Sequence, residues 1–419
     1  MANEFSKEER VAFEQMLDGF NDQLVLSSIV SKYRTNPMQM ERAGDTWWRP
    51  QPYIAQSFSG SDATNNFKDA TQLSVPSSIN IQRHSTAILT ATEMRDALQE
   101  GRLGMAAAQK LASDINVSVL DAISEKATLV IKKTTSPQGY SDVADIDTLM
   151  NEQGIMMNDR KFALSSGAYN SMAADLAGRE TMNEMPTAAY RRSYVGTVAG
   201  FDTFKMDYSD AIAAQAGTGV TVNGANQRHD PTATDSNGQN VDNRTQTLNV
   251  STGSVVLKAG DCFTIAGVNA VHHITKRDTG NLKTFRVVAA GAAGGDIAIT
   301  ISPPIIATDA GTPTDAQRQY QNVTATPADD AVITFLNTAA TKANVFWHKD
   351  AVELLPGTLV VPADAGAAIM RGTTDQGIEM TMQKQFGIND QKTKYRWDIR
   401  YGVNVTQPEM CGVVLFDQT

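Results

Sequence analysis

A chain of 419 residues is too long to fold around one compact core, so we expect two or three domains. Hydrophobic residues make up 41% and charged residues 20% of the sequence, which excludes a disordered protein. The formal net charge of −10 argues against a protein that binds nucleic acid through its phosphates, since such binding needs a basic surface.

The two cysteines and the N-terminus indicate where the protein is made. Cys262 and Cys411 each lie in an apolar run, so we expect two buried thiols and no disulfide. No basic segment followed by an apolar core opens the sequence, and no apolar run approaches the ~20 residues that span a bilayer. We therefore expect a cytoplasmic product without a signal peptide and without membrane contact.

The first predicted element is an amphipathic helix with a capping-box start at Ser6 and Glu9. The apolar residues that recur at helical spacing are Phe13, Leu17, Phe20 and Leu24. The opposite face is acidic and carries Glu4, Glu8, Glu9, Glu14, Asp18 and Asp22. An acidic face of this kind is as typical of a solvated surface as of a binding surface, so both interpretations stay open.

Two extended segments follow, 46–54 and 71–83, and they enclose a polar stretch, 55–70, that has little to bury. The pattern predicts a long, polar, uncovered hairpin. Such a hairpin is unusual on a monomer and would be stable if a neighbouring subunit covered it.

The most helical segment covers 92–131, with Thr92 as its cap, and would reach roughly 60 Å if uninterrupted. We expect Gly101 and Gly104 to weaken or bend its first turns. Its predicted buried face consists of Leu98, Met105, Ala108, Leu111, Ile115, Val119 and Ala122. The next segment, 134–217, should mix short helices with short strands; the predicted helices are 167–178 and 186–193, and the predicted strands are 161–165 and 201–206.

The middle of the chain differs in composition from its two ends. All 17 methionines lie outside residues 207–369, and no glutamate occurs between Glu184 and Glu353. Met and Glu favour helices, whereas the Thr and Val that are common here favour strands. The break predicts a β-structured domain inserted at about 218–343 into a mixed α/β host. Its candidate strands, typical of a small barrel or sandwich, are 219–223, 245–250, 262–267, 283–289, 296–301 and 331–336.

A polar loop, 226–243, should protrude between the first two strands of the insert. After the insert, the host is predicted to end in two strands, 394–405 and 410–416.

No motif for catalysis or cofactor binding is present. The sequence has no phosphate-binding loop, no Gly-x-Ser-x-Gly turn and no His-Glu-x-x-His pair. His272 and His273 are adjacent, and neighbouring side chains on a strand point to opposite faces, so they are not expected to chelate one metal ion. We therefore expect neither an enzyme nor a cofactor.

Several collinear segments resemble the coat proteins of short-tailed Salmonella-type phages, the Lederbergvirus group. The segments are Ala108–Ala112, Leu129–Ile131, Val241–Arg244, Lys258–Asp261, Ala266–Val268, Thr341–Trp347, Asp350–Ala351, Tyr401–Glu409 and Gly412–Val413. The resemblance implies an α+β protein with the tailed-phage and herpesvirus major capsid protein fold and an inserted six-stranded antiparallel β-barrel. The implied parts are an N-terminal helical arm (1–32), an extended loop hairpin (46–83), a peripheral domain with the spine helix (84–133 and 386–419), an axial domain (134–217 and 344–385) and the barrel (218–343).

The resemblance further implies a major capsid protein that assembles with a scaffolding protein into an icosahedral procapsid of pentamers and hexamers. The shell would carry a portal protein at one vertex and mature around double-stranded DNA, without sequence-specific DNA binding, in the cytoplasm of a bacterial host. The alternative is a surface adhesin or fibre-type β protein. It is favoured by the Thr- and Asn-rich insert, and disfavoured by the missing export signal and by the long helix.

Three groups of contact residues follow from the resemblance. Glu14 lies at the position of the family's acidic scaffolding contact, and Glu8, Glu9 and Asp18 would add to its field. In the insert loop, Asp235 matches an acid that contacts a neighbouring subunit, Asn237 replaces a second acid, and the family's lysine has no counterpart, Asn240 being nearest to its position. The contact is therefore expected to be weaker here or to be carried by other charges of the loop. The other candidates in that loop are Arg228, Asp230 and Arg244. The expected contacts of the extended loop are Phe58, Asp62, Phe67, Lys68 and Asp69.

Overall fold

The computed structural model describes residues 5, 7–33, 46–64, 66–90, 93, 97–179, 195–206, 210–291, 294–309, 311–361 and 366–419. The described part has a mixed α+β fold. Its helices are α1 (Lys7–Gln23), α2 (Val25–Ile29), α3 (Ala97–Lys126), α4 (Tyr140–Gln153), α5 (Ser166–Arg179) and α6 (Asp315–Tyr320). Ser6, Thr92 and the helix predicted at 186–193 lie outside the described residues.

Strands contain more of the described residues than helices do. In chain order they are β1 (Ser31–Lys32), β2 (Thr46–Pro50), β3 (Ser74–Ser78), β4 (Ile81–Thr90), β5 (Leu129–Lys132), β6 (Arg160–Ser165), β7 (Thr197–Val198), β8 (Phe201–Met206), β9 (Ala211–Ile212), β10 (Thr221–Val222), β11 (Gln246–Ser251), β12 (Cys262–Val271), β13 (Asp278–Ala289), β14 (Asp296–Ser302), β15 (Ile333–Phe335), β16 (Thr341–Lys342), β17 (Asn344–His348), β18 (Val352–Gly357), β19 (Ala368–Thr373), β20 (Glu379–Gly387), β21 (Lys392–Val405) and β22 (Cys411–Leu415). Two short pairs, β2 with β3 and β9 with β16, stand apart from the three larger sheets.

The chain divides into two compact units, and the first comprises Met1–Trp47, Ser77–Ala122 and Val352–Asn404. Its sheet has the order β1-β18-β21-β20-β19, with β4 paired to β21. Along β21, Tyr395 and Trp397 are buried while Lys394 and Arg396 are exposed, because alternate side chains of a strand point to opposite faces.

Close packing of α1 on its neighbours depends on two glycines in this unit. An ideal Cβ at Gly104 on α3 would lie 3.1 Å from Met16 Sδ, and one at Gly372 on β19 would lie 2.8 Å from Phe13 Cε1. The expectation that Gly104 weakens the helix is therefore incomplete, since α3 runs continuously through it. Met105 was wrongly assigned to the buried face: it is 56% exposed, and Gly104 takes the buried position beneath Met16.

The second unit comprises Trp48–Pro76, Ile123–Ala351 and Val405–Thr419 and contains a sheet with the order β5-β22-β17-β6-β8-β7. Strand β17 is antiparallel to β22 and β6, whereas β22 with β5 and β6 with β8 are parallel pairs. The core of this sheet combines helix side chains from α4 and α5 with strand side chains. Those of the helices include Ile146, Met150, Tyr169 and Met172, and those of the strands include Phe162, Phe201, Phe346 and Val414.

A six-stranded barrel lies within the second unit, with the order β10-β11-β14-β13-β12-β15. The first and last strands meet at a bridge between Thr221 and Val332, and Ile333 N donates to Val220 O over 2.9 Å, which closes the sheet on itself. Phe263 packs against Phe285 and Phe335 inside it, with ring centroids 5.8 and 6.4 Å apart. All six predicted strands of the insert overlap strands of this barrel.

Strand pairing crosses the predicted boundaries between the peripheral and axial domains. Strands β18 and β19 fall within the range expected for the axial domain, yet they belong to the sheet of β21 and β4. Strand β22 falls within the range expected for the peripheral domain, yet it pairs with β17. The pairing of β22 with β17 joins strands far apart in sequence, whereas β19 reaches β21 through the consecutive antiparallel pairs β19–β20 and β20–β21.

Candidate functional site

The described residues contain no cluster of three or more His, Cys, Asp or Glu side chains that could hold a metal ion. Cys262 and Cys411 are free and buried, and burial raises the pKa of both thiols, so they stay protonated and unreactive. Among the helices of the described part, none is long and apolar enough to cross a membrane.

An exposed acidic row runs along α1. Glu14, Asp18 and Asp22 are all exposed, and their spacing of four residues places them on one face of the helix. The opposite face is buried through Phe13 and Phe20. We refer to Glu14, Asp18 and Asp22 as the acidic row.

Glu9 lies on the same helix but does not belong to the acidic row, because its carboxylate is bonded within the protein. Its carboxylate accepts hydrogen bonds from Lys384 Nζ and from Tyr395 OH, the latter over 3.3 Å, and its side chain is only 9% exposed. Glu9 thus fixes α1 to the sheet. The side chain of Glu8 lies outside the described ones.

The insert loop 226–243 ends in a tight exposed tip. A bridge between Thr234 and Asn240 forms its base, and Asp235 Oδ1 accepts from Asn237 N over 2.8 Å and from Gln239 N over 2.9 Å. Because the carboxylate caps the turn with one oxygen, its position is fixed while the residue remains exposed. Asp235, Asn237 and Asn240 are therefore presented together.

Two of the candidate charges in this loop lie beside each other, below the tip. Arg228 Nε lies 3.5 Å from Asp230 Oδ1, and Asp230 also accepts a hydrogen bond from Gln317 on α6. Asp230 is exposed and Arg228 is half-buried.

Arg244 lies at the base of the loop, and its contacts are internal. It donates to Asp242 from Nε over 2.9 Å and from Nη2 over 2.7 Å, and to Val405 O from Nη1 over 2.7 Å. Its side chain is only 12% exposed. The structure thus makes Arg244 an anchor of the loop, while the tip stays exposed.

The extended loop is exposed at its tip and covered at its root. Phe58 and Phe67 are exposed, the latter by 84%, as are Asp62, Lys68 and Asp69. Hydrogen bonds from the Thr64 side chain and backbone to Asp62 Oδ1 lower the pKa of Asp62 and order the tip.

The root of the extended loop packs against the segment that contains α6. Tyr320 OH donates to Thr71 O over 2.8 Å, Gln56 Nε2 donates to Asp315 O over 3.2 Å, and Leu73 is buried against Tyr320. The expectation of a hairpin uncovered along its whole length is therefore wrong at the root. The tip is left exposed.

A charged cluster that sequence reasoning missed joins β13 of the barrel to the turn before β22. Lys283 Nζ donates to Glu409 Oε1 over 2.6 Å, Asn322 Nδ2 donates to the same oxygen over 3.1 Å, and His273 Nε2 lies 3.9 Å from Glu409 Oε2. Although burial raises the pKa of Glu409, the Lys283 and His273 charges and these hydrogen bonds hold it at about 2. Burial lowers the pKa of His273 to about 4 and that of Lys276 to about 8.

One sequence signal could have identified this cluster. Lys283 shares the alternation of Phe285 and Val287, whose side chains point into the barrel core. A lysine at such a position is 1% exposed and needs a buried partner.

Comparisons with known proteins give one family. The family model described as P22 coat protein, gene protein 5, matches residues 1–417. Similar solved structures include the CUS-3 coat protein I-domain, at 45% identity over 28% of this chain and 95% of that chain, with a TM-score of 0.23. The capsid of cyanophage P-SCSP1u is similar at 10% identity over 93% and 86% of the two chains (TM-score 0.43), and Mycobacterium phage Che8 at 9% over 94% and 92% (TM-score 0.44).

Proposed function

Because this chain belongs to the P22 coat protein family, we propose that it assembles with a scaffolding protein into an icosahedral procapsid, which matures into a shell around double-stranded DNA. The protein is a bacteriophage major capsid protein, and it acts as a structural subunit of a homo-oligomeric shell in the virion. The proposal adds the scaffolding partner, the icosahedral geometry of pentamers and hexamers, and maturation to that role.

The acidic row on α1 is the observation that carries the scaffolding part of the proposal. Glu14, Asp18 and Asp22 are exposed on one face while the other face of the helix is fixed to the sheet. Val11, 52% exposed, adds an apolar contact beside the row. A basic, partly apolar helical surface on the scaffolding protein would complement it.

Intersubunit contacts would be made by the two exposed tips. The extended loop would place Phe58 and Phe67 on a neighbouring subunit, with Asp62, Lys68 and Asp69 as polar contacts around them. The insert loop would meet another subunit through Asp235, Asn237 and Asn240, with Arg228 and Asp230 behind them. The domain ranges 1–32, 46–83, 84–133 with 386–419, 134–217 with 344–385, and 218–343 remain part of this proposal.

The proposal also covers what surrounds the shell. A portal protein would occupy one vertex, assembly would take place in the cytoplasm of a bacterial host, and the subunit would have no enzymatic role. The net charge of −10 suits a wall that encloses DNA without binding it by sequence, since like charges keep the packaged DNA from adhering.

The scaffolding contact is tested by reversing charge on the acidic row. We expect Glu14→Lys with Asp18→Lys to lower the amount of scaffolding protein in particles severalfold, because attraction would become repulsion. Particles are purified by sedimentation after co-expression, and their composition is measured by gel densitometry at low salt. The control is Glu125→Lys on α3, which makes one such charge reversal at an exposed helical site that is not part of the row. Unchanged scaffolding content in the double variant would remove the row from the proposal.

A further inference from the structure

Polar side chains on one barrel strand donate hydrogen bonds to the main-chain carbonyls that immediately follow the long helix α3. On β13, Thr284 Oγ1 donates to Thr128 O over 2.6 Å and Arg286 Nη1 donates to Ala127 O over 3.3 Å. Helix α3 ends at Lys126, and the last carbonyls of a helix have no partner within it. Arg286 is 2% exposed, so it places a buried positive charge at the negative end of the helix dipole.

Lys283, which pairs with Glu409, immediately precedes Thr284 on the same strand. Lys283 Nζ also lies within 3.4 Å of Gln153 Oε1, at the end of α4. Taking one partner away would leave a buried charge without compensation, whereas replacing both partners by apolar side chains removes that cost.

The turn between β12 and β13 and the first part of β13 add contacts at the C-terminus of α4. His273 N donates to Gln153 O over 3.1 Å, and Asn281 Nδ2 donates to Glu152 Oε2 over 2.8 Å. The left-handed Gly154 ends α4, and an ideal Cβ there would lie 2.5 Å from His272 Cε1. A side chain at position 154 would displace the turn.

These contacts form a polar seam, which we define by Lys283, Thr284 and Arg286 on the barrel and by Ala127, Thr128, Gln153 and Glu409 opposite them. The apolar core cluster of the barrel includes none of these seven residues, and the sheet of the barrel is closed. The barrel can therefore keep its fold when the seam is lost.

We propose that the seam positions the barrel on the rest of the second unit, with Lys283–Glu409 as its principal positioning contact. The exposed tip of the insert loop is thereby presented at a fixed place. Any effect of the seam on shell assembly rests on the proposed intersubunit role of that loop. The positioning of the barrel does not depend on that role.

The positioning is tested first on the unassembled full chain by amide hydrogen exchange. In Lys283→Met and in Glu409→Gln we expect exchange at 127–133 and 153–155 to become at least about tenfold faster, while the strands β11 to β14 keep their protection. The matched control is Lys110→Met, which removes a lysine whose side chain is 69% exposed in its pair with Asp114. Unchanged exchange at the seam would overturn the proposal, as would loss of protection throughout the barrel together with the seam.

The double variant Lys283→Met with Glu409→Leu separates positioning from stability. Both partners become apolar, so we expect the melting temperature to recover toward that of the unaltered protein. Particles formed with scaffolding protein should nevertheless be heterogeneous in size, because the directional contact is absent. Recovery of both stability and particle uniformity would show that the pair only stabilises the fold and would overturn the proposal. If the unaltered chain forms no particles, the proposed function fails, and the exchange measurement still decides the seam.

Discussion

His273 and Glu409 show how the surroundings of single residues make the stability of this protein depend on pH. Burial lowers the pKa of His273 from 6.5 to about 4, so the folded state favours the neutral ring. For a group whose pKa falls on folding, the stabilisation is complete above the unfolded value and is lost as pH falls toward the folded value. The pKa of Glu409 is also lowered on folding, from 4.5 to about 2, so its contribution to stability is lost as pH falls through that range.

At the residue scale we therefore predict a loss of stability between pH 6.5 and 4. The His273 contribution to the free energy of unfolding should fall by at most about 3 kcal/mol across this window, because 17% of its side chain remains exposed to water. Urea unfolding at a series of pH values measures it. The variant His273→Gln should flatten this part of the profile, and His84→Gln, which removes an exposed histidine of β4, should not. A profile of His273→Gln that parallels that of the unaltered protein would refute the assignment.

Residue contacts were the part of this molecule that sequence reasoning predicted least. The acidic face of α1 was visible from helical spacing, but its division into Glu9, held by Lys384, and the exposed acidic row was not. Lys283 and Glu409 are 126 residues apart, and no local pattern connects them. Arg244 was identified as a charge in the right loop, yet its partners Asp242 and Val405 O turn it inward.

At the scale of elements, the packing of α1 depends on small residues in the elements it touches. Gly104 on α3 and Gly372 on β19 each lie under a side chain of α1. The two sites differ in what an added methyl group would meet. At Gly104 it meets the flexible end of Met16, whereas at Gly372 it meets the ring of Phe13 and the end of Leu17.

We predict opposite outcomes for substitutions at these two glycines. Gly104→Ala should leave stability unchanged or raise it by up to about 1 kcal/mol, since Met16 can adjust and alanine favours the helix. Gly372→Val should destabilise the packing of α1 by about 1 to 3 kcal/mol, because Phe13 and Leu17 must move. Limited proteolysis of the N-terminal helix and thermal melting measure both. Equal protease resistance of the two variants would contradict this account of the packing.

Elements with strong local patterns were predicted well, whereas one short helix and three strands were missed. The six barrel strands, β6, β8, β21 and β22 all overlap their predicted ranges. Helix α6 was missed because six residues are too few to show a helical period, although Thr314 and Gln317 form a capping box. Strands β18, β19 and β20 were also missed. Strand β18 lies between the distant strands β1 and β21, but β19, β20 and β21 are consecutive antiparallel neighbours, so distance in sequence explains only the first of the three.

At the scale of the whole molecule, the compositional break predicted where the barrel is inserted but not how it is attached. The absence of Glu and Met from the middle of the chain marks the range of the barrel strands. Its attachment through Thr284, Arg286 and Lys283 depends on three-dimensional contacts that composition does not encode. The family match over residues 1–417 then gives the whole chain one role, that of a shell subunit.

Co-expression of the chain with the scaffolding protein of its phage tests the central claim most directly. The products are separated by sedimentation and imaged by electron microscopy. We predict discrete, closed shells of uniform size that contain both proteins, as expected for repeated subunits in closed symmetry. A chain that remains a soluble monomer with and without scaffolding protein, over a range of protein and salt concentrations, would contradict the account.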